Sequence, residues 1–217
     1  MAASTSGHPA HTPKYHALIG HAWKYAKNSG KQLFWCLAQD WPLNMEEDQM
    51  EMEELQRLRE TWLLMHDQRT HGVMGMLPLA YDMPLRFTDS VCPEKKIHRN
   101  TPGKLKGIIL APEEEASLRE HATSEVVLVK MPKLLKIEIQ HEDEKPFTYD
   151  LPAEYVIWSR DPKGNAKVKR RGFRVIPDFA GTAHAYCGET LERCKGDLLD
   201  WHAKPTMHGM LRALLLP

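Results

Sequence analysis

The hydrophobic pattern of this chain changes period several times, and each change predicts an element. Over residues 14–29, Tyr15, Leu18, Ile19, Ala22, Trp23 and Ala26 recur at i, i+3 and i+4, which predicts an amphipathic helix stopped by Gly30. Residues 32–38, QLFWCLA, are a continuous apolar run, the pattern of a buried strand. The longest helix is expected over 46–68, with Leu55, Leu58, Trp62 and Met65 on one stripe. Its acidic first half suits the positive end of a helix dipole. From 104 the runs shorten to 104–110, 125–131, 134–140, 147–151 and 155–158. Leu135, Ile137 and Ile139 alternate there with Lys136, Glu138 and Gln140, a half-exposed strand. Residues 112–121 predict a brief helical excursion, and Asp161 to Asn165 a turn. Five short strands so closely spaced predict a small barrel.

Residues 172–201, GFRVIPDFAGTAHAYCGETLERCKGDLLDW, read as strand, turn and helix. Arg174, Val175 and Ile176 form the strand, and Ala180-Gly181-Thr182 is small enough for close backbone approach to a ligand. Leu191, Cys194, Leu198 and Leu199 recur at helical spacing. A strand ending in small and hydroxyl residues before a helix can present backbone N–H groups to phosphate.

Composition adds boundaries. The chain has 217 residues, 42% hydrophobic and 27% charged, which is ordinary globular usage. No apolar run is long enough to span a bilayer, and residues 1–13 lack a signal-peptide pattern and read as a disordered leader. An intracellular setting, nuclear or cytoplasmic, is expected, because Cys36, Cys92, Cys187 and Cys194 show no paired spacing. The same scatter, with no His-Glu-x-x-His, argues against a metal site. Net charge is zero but divided: residues 46–54 carry six acids and no base, and residues 163–174 six bases and no acid.

The pattern Phe173, Pro177, Phe179, Ala180, Thr182, His184, Gly188, Thr190 and Leu191 resembles the fifth motif of superfamily-one DNA helicases of the Pif and RecD type. Ala185-Tyr186-Cys187 stands where that family has Lys-Ser-Gln. A second resemblance lies upstream. Leu77-Pro78-Leu79 and Met83-Pro84-Leu85 match a Pif-type stretch in which glycine precedes Met-Pro; here that position is Asp82. Asn100, Gly103, Lys104 and Gly107 follow the next part of the family pattern. The resemblance implies a mixed α/β chain: a partial RecA-like second motor domain with an inserted small β-barrel. The boundaries expected are 14–103 and 159–217 for the RecA-like part and 104–158 for the barrel.

A helicase motor needs a Gly-x4-Gly-Lys-Ser/Thr loop and a magnesium-holding acid. Gly30-Lys31 runs on to Gln32 and Gly103-Lys104 to Leu105, so neither is that loop, and Arg212 lacks the family's terminal arginine context. Without these charges phosphoryl transfer loses its electrostatic stabilisation. No cofactor is expected for this chain alone, whereas the intact family uses ATP and magnesium. The expected role is a piece or relic of a DNA helicase, or part of a longer chain carrying the motor loop, with weak single-stranded DNA binding. By resemblance Thr182 and His184 contact phosphate or sugar, and Gly188 and Thr190 lie near nucleotide. Lys167, Lys169, Arg170 and Arg171 add Coulomb attraction, with Trp158 and Phe173 flanking them as either stacking or core residues. A Cys187–His184 nucleophilic pair would need an orienting group that no motif marks. The alternative is a protein-interaction module docking a partner through the acidic helix 46–68.

Overall fold

The structure, a computed structural model, describes residues 12–43, 52–115, 124–142, 144–159 and 166–179. Helix α1 (Thr12–Ser29) begins inside the expected leader and buries Leu18, Ala22 and Ala26. It ends as the sequence predicts. Gly30 sits at φ 64, its N–H donates to the Lys27 carbonyl, and the Lys31 N–H donates to the Ala26 carbonyl at 2.9 Å. That paired closure is the Schellman stop, which glycine makes without a Cβ penalty.

Strands β1 (Leu33–Leu37) and β2 (Gln39–Pro42) follow, then α2 (Met52–Leu63), β3 (Met76–Leu79), β4 (Pro84–Phe87) and β5 (Pro102–Ile109). Six more complete the order: β6 (Glu125–Val127), β7 (Leu134–Ile139), β8 (Phe147–Pro152), β9 (Glu154–Ser159), β10 (Lys167–Gly172) and β11 (Val175–Pro177). Helix α2 stops earlier than its apolar stripe predicts. Beyond Leu63 the chain tightens, with Leu64 and Met65 N–H groups donating three residues back, and His66 caps a short 3₁₀ turn at Asp67–Thr70. Gly75 explains the packing that follows: a Cβ there would lie 2.2 Å from the Leu63 carbonyl oxygen.

The chain is mixed α/β, with three sheets ordered β3-β1-β6, β2-β10-β9 and β11-β4-β5-β7-β8. All pairings are antiparallel except β1 with β6. The strands of residues 104–158 are shared among all three sheets rather than gathered in one. Strand β6 pairs with β1, β9 pairs with β10, and β5, β7 and β8 share a sheet with β4 and β11 from either side of the insert. The expected boundary at 104 falls inside β5. Two bends tie the sheets together. Strand β8 passes into β9 through Ala153, and β10 into β11 through Phe173 and Arg174. A strand that turns a corner in this way carries one hydrophobic face from one sheet to the next.

The main core gathers α1, β1, β3 to β5, β7 and β11 around Leu85, Leu105, Leu135, Ile137 and Phe173. A second, smaller core of Trp62, Trp158 and Val168 lies between α2 and the β2-β10-β9 sheet. Truncating a main-core leucine to alanine costs roughly 2–5 kcal/mol, a large share of a domain's margin.

Asp82, standing where the Pif-type pattern has glycine, takes the left-handed conformation at φ 60 in the turn between β3 and β4. Aspartate tolerates this region better than most L-residues. Its carboxylate accepts from Lys31 Nζ and Lys106 Nζ, both at 2.8 Å, tying the end of α1 and β5 to the turn. Those two ammonium groups hold the Asp82 carboxyl down at about 2. A depressed carboxyl contributes stability that is complete above the ordinary value near 4 and lost as pH falls through the folded value. Asp82→Asn keeps the turn and removes the charge. Its melting temperature is expected to lie below that of the parent at pH 6, with the gap closing between about pH 4 and pH 2. Thermal melts across that range check it, and equal melting temperatures at pH 6 would show that the two lysines contribute nothing.

Candidate nucleic-acid interface

Strand β10 carries the basic run, and strand alternation divides it. Lys167, Lys169 and Arg171 stand on one face, and Val168, Arg170 and Gly172 on the other. The inner face packs on α2, where Trp158 of β9 meets Trp62 edge to face at 6.2 Å. Arg170 is fully buried there, at 0% exposure. Its Nε and Nη2 donate to the two carboxylate oxygens of Asp40 on β2, each at 2.8 Å. Nη2 also donates to the Trp62 carbonyl at 2.6 Å and Nη1 to the Val73 carbonyl at 3.2 Å. A bidentate pair with two further acceptors is the arrangement that makes a buried guanidinium tolerable. Arg170 is therefore withdrawn from the expected surface: its donors are spent inside.

The outer face is open. In register across it, Trp41 and Ile157 flank Lys169, while Gln39 and Tyr155 flank Arg171. Tyr155 and Ile157 are 53% and 54% exposed. Lys169 Nζ lies 4.2 Å from the centre of the Tyr155 ring, and the Arg171 guanidinium carbon 5.9 Å from it. Trp41 and Tyr155 approach over β10 with ring centres 6.0 Å apart. An exposed cation over a ring is worth only about 0.5–1 kcal/mol, so these contacts are easily exchanged. The face thus combines three cations with two aromatic rings.

Trp158 and Phe173, the aromatics flanking the basic run in sequence, are 1% and 2% exposed and belong to the core. On this outer face the aromatics are Trp41, partly buried, and Tyr155, exposed. Alternation marks both: Trp41 has the parity opposite to Asp40, and Tyr155 opposite to Trp158.

Thr182, His184, Gly188 and Thr190 lie outside the described residues, as does Cys187. The approach to them is held firmly. Asp178 pairs with Arg86 at 2.8 Å, its N–H donates to the Pro84 carbonyl, and Phe179 packs on Tyr25 with ring centres 5.7 Å apart. The acidic segment 44–51 also lies outside the described residues. On α2 the exposed face mixes Glu53, Glu54 and Glu60 with Arg57. Among the described residues no three His, Cys, Asp or Glu side chains gather as a metal site, and no helix is long and apolar enough to cross a membrane.

No family model matches the chain, and no curated protein matches it. Solved structures similar to it include the crystal structure of Pif1 helicase from Candida albicans. The identity there is 16% and the TM-score 0.49, over 82% of this chain and 36% of that one. Another is described as the basis for DNA unwinding at forked dsDNA by two coordinating Pif1 helicases. Its identity is 8% and its TM-score 0.38, over 78% of this chain and 29% of that one. The chain spans about a third of the length of either helicase. At these scores the likeness assigns neither a family nor an activity.

Removing Arg170 leaves Asp40 charged and buried without its partner, a loss of about 3–5 kcal/mol. Arg170→Ala is therefore expected to lower the unfolding midpoint severely, while Lys169→Ala on the same strand stays within about 0.5 kcal/mol of the parent. The pair variant Asp40→Leu with Arg170→Met should recover most of the loss. Urea denaturation of the three variants checks this, and a mild effect of Arg170→Ala would contradict the buried pair.

Proposed function

We propose that this chain is a non-motor relative of the distal half of Pif-type helicases that binds single-stranded nucleic acid weakly, through its phosphates, without ATP or magnesium. The observation that carries the reading is the one-sided presentation of Lys167, Lys169 and Arg171 on an open sheet face, while Arg170 is turned inward. Three cations on one surface supply the sequence-independent Coulomb term of nucleic-acid binding.

The motif resemblance adds to it at several positions. Asp82 takes the backbone conformation that the family's glycine would supply, and Asn100, at φ 71, also lies in the left-handed region. Gly103 sits so close to Ile137 that a Cβ would come within 2.5 Å of its side chain. These are positions where backbone geometry, rather than chemistry, restricts the residue. The helicase-type barrel is part of the proposal. Its support is connectivity: from β11 through β4, β5 and β7 to β8, the pairing path continues through the Ala153 bend into β9 and β10 and so returns to β11. In this reading Thr182 and His184 add hydrogen bonds to phosphate or sugar, and Gly188 and Thr190 keep the family's nucleotide-proximal places. A protein partner on the acidic helix is less well supported, because the exposed face of α2 carries charges of both signs.

Fluorescence anisotropy across a salt series tests the reading. Affinity for a labelled single strand is expected to fall as salt rises. The variant with Lys167, Lys169 and Arg171 all replaced by alanine should bind more weakly to every sequence alike. Its logarithmic salt slope should be smaller by about two, since each lost phosphate contact on a single strand removes roughly 0.7. Thr182→Ala and His184→Ala should weaken binding with little change of slope, because neutral groups release no counterions. Identical curves for parent and triple variant would remove β10 as the surface.

The purified chain is also expected neither to hydrolyse ATP nor to unwind duplexes. DNA-stimulated phosphate release that survives rigorous purification would overturn that expectation.

A further inference from the structure

We infer that Trp41 and Tyr155 form a base-stacking platform, so that the β2-β10-β9 face takes the bases of a single strand as well as its phosphates. The inference rests on the nucleic-acid reading of that face and adds residues that no motif marks.

The two rings stand on the strands either side of β10 and lean toward each other above it, with an interplanar angle of 48°. Their sheet has already met its packing requirement on the other side, where Trp158 and Val168 bury against α2. Tyr155 nevertheless remains 53% exposed, with Ile157 beside it. Large aromatic surface left over after the core is complete is a signature of binding rather than folding.

The cations show how such a surface would be used. Lys169 rests its ammonium 4.2 Å from the centre of the Tyr155 ring, so that ring face is held by a flexible side chain that can move off it. A base arriving on the ring displaces a weak contact, and the released ammonium is then free to meet the adjoining phosphate. Among the described residues the cross-strand partners of the three cations are Gln39, Trp41, Tyr155, Ile157 and Ser159, none of them a carboxylate. The surface therefore complements a polyanion that also carries flat π faces at intervals. A duplex offers the phosphates but keeps its bases stacked on each other. An acidic peptide offers the charge without the regular π faces. Single strands offer both.

Anisotropy with three labelled probes of equal length decides it: a short oligodeoxythymidylate, its fully abasic counterpart, and a duplex. The intact single strand is expected to bind about tenfold more tightly than the abasic one, which keeps every phosphate. Tyr155→Ala and Trp41→Ala should each weaken the intact strand by up to about fivefold, the low end of the stacking range and less than the intact-to-abasic ratio. Neither should change binding of the abasic strand. The comparison of intact with abasic strand on the parent protein needs no variant, so a folding defect in Trp41→Ala leaves the test decisive. Equal affinity for intact and abasic strands overturns the platform while leaving the phosphate reading standing. Failure of both to bind at low salt overturns the two together. A polyglutamate of matched charge that competes as well as the intact strand overturns the platform as well, because it would show attraction by charge alone.

Discussion

A guanidinium with no access to water must have its donors used, and much of the β2-β10-β9 sheet is arranged to use those of Arg170. Asp40 supplies two oxygens from β2, Trp62 a carbonyl from α2, and Val73 a carbonyl from the segment before β3. One side chain on β10 thus fixes a neighbouring strand, the covering helix and the lead into another sheet. The Trp158 ring lies 5.5 Å from the guanidinium carbon and closes the site against solvent. A buried ion pair of this kind is weak evidence for net stability, since well-packed apolar residues often serve as well. What it does impose is register. Slipping β10 by one residue would expose Arg170 and bury Lys169 or Arg171, each without an acid to meet it.

That constraint spreads through the two bends. Because β10 passes into β11 and β9 continues from β8, the register set by Arg170 is handed to the five-stranded sheet. There β11 lies on β4, with Val175 opposite Phe87 and Ile176 opposite Arg86. Arg86 in turn pairs with Asp178 and donates to the Asn100 carbonyl at 2.8 Å. The Asp82 turn, just before β4, holds Lys31 and Lys106. The two Asp82 pairs are far more exposed than the Arg170 and Arg86 pairs, and exposed pairs contribute little each. Their effect is to position the turn and the strand ends rather than to supply much of the fold's stability.

Local pattern told much of this from the sequence, and long-range pairing told the least. Helix α1, the buried strand β1 and the alternation of β7 each follow from spacing within a few residues, and each is found. The sheets that residues 104–158 enter are a different matter. Strand order depends on partners far away in the chain, such as the parallel pairing of β6 with β1 across some ninety residues, Leu33 opposite Glu125. No local period encodes that. A basic run looks uniformly solvated when only its composition is considered, whereas Arg170 is buried. Its period of two carries the correction, since Val168 and Gly172 share its parity and are small or apolar. The missing half of the signal was Asp40, an acid in the interior of an aromatic stretch. The Asp82 turn was legible as a departure from the family pattern, but its solution, an aspartate in the left-handed region with two lysines on its carboxylate, needed the third dimension.

The inner and outer faces of β10 are linked in what they permit. A binding face gains affinity when its groups are already in place, because ordering them at the moment of binding costs about 0.5–1.5 kcal/mol for each flexible side chain. Lysine and arginine are among the most costly to order. The inner lock fixes the backbone from which Lys167, Lys169 and Arg171 project, and the Tyr155 ring already restricts Lys169 and Arg171. The competition between ring contacts is also unequal. An exposed cation–π contact is worth about 0.5–1 kcal/mol, whereas a stacked base is worth about 1–3 kcal/mol. In the proposed complex a nucleotide would take the ring from Lys169 and still gain the phosphate contact that Lys169 then makes. The same arithmetic predicts weak binding there, because three cations and two rings on an open sheet face leave each contact in competition with water and salt.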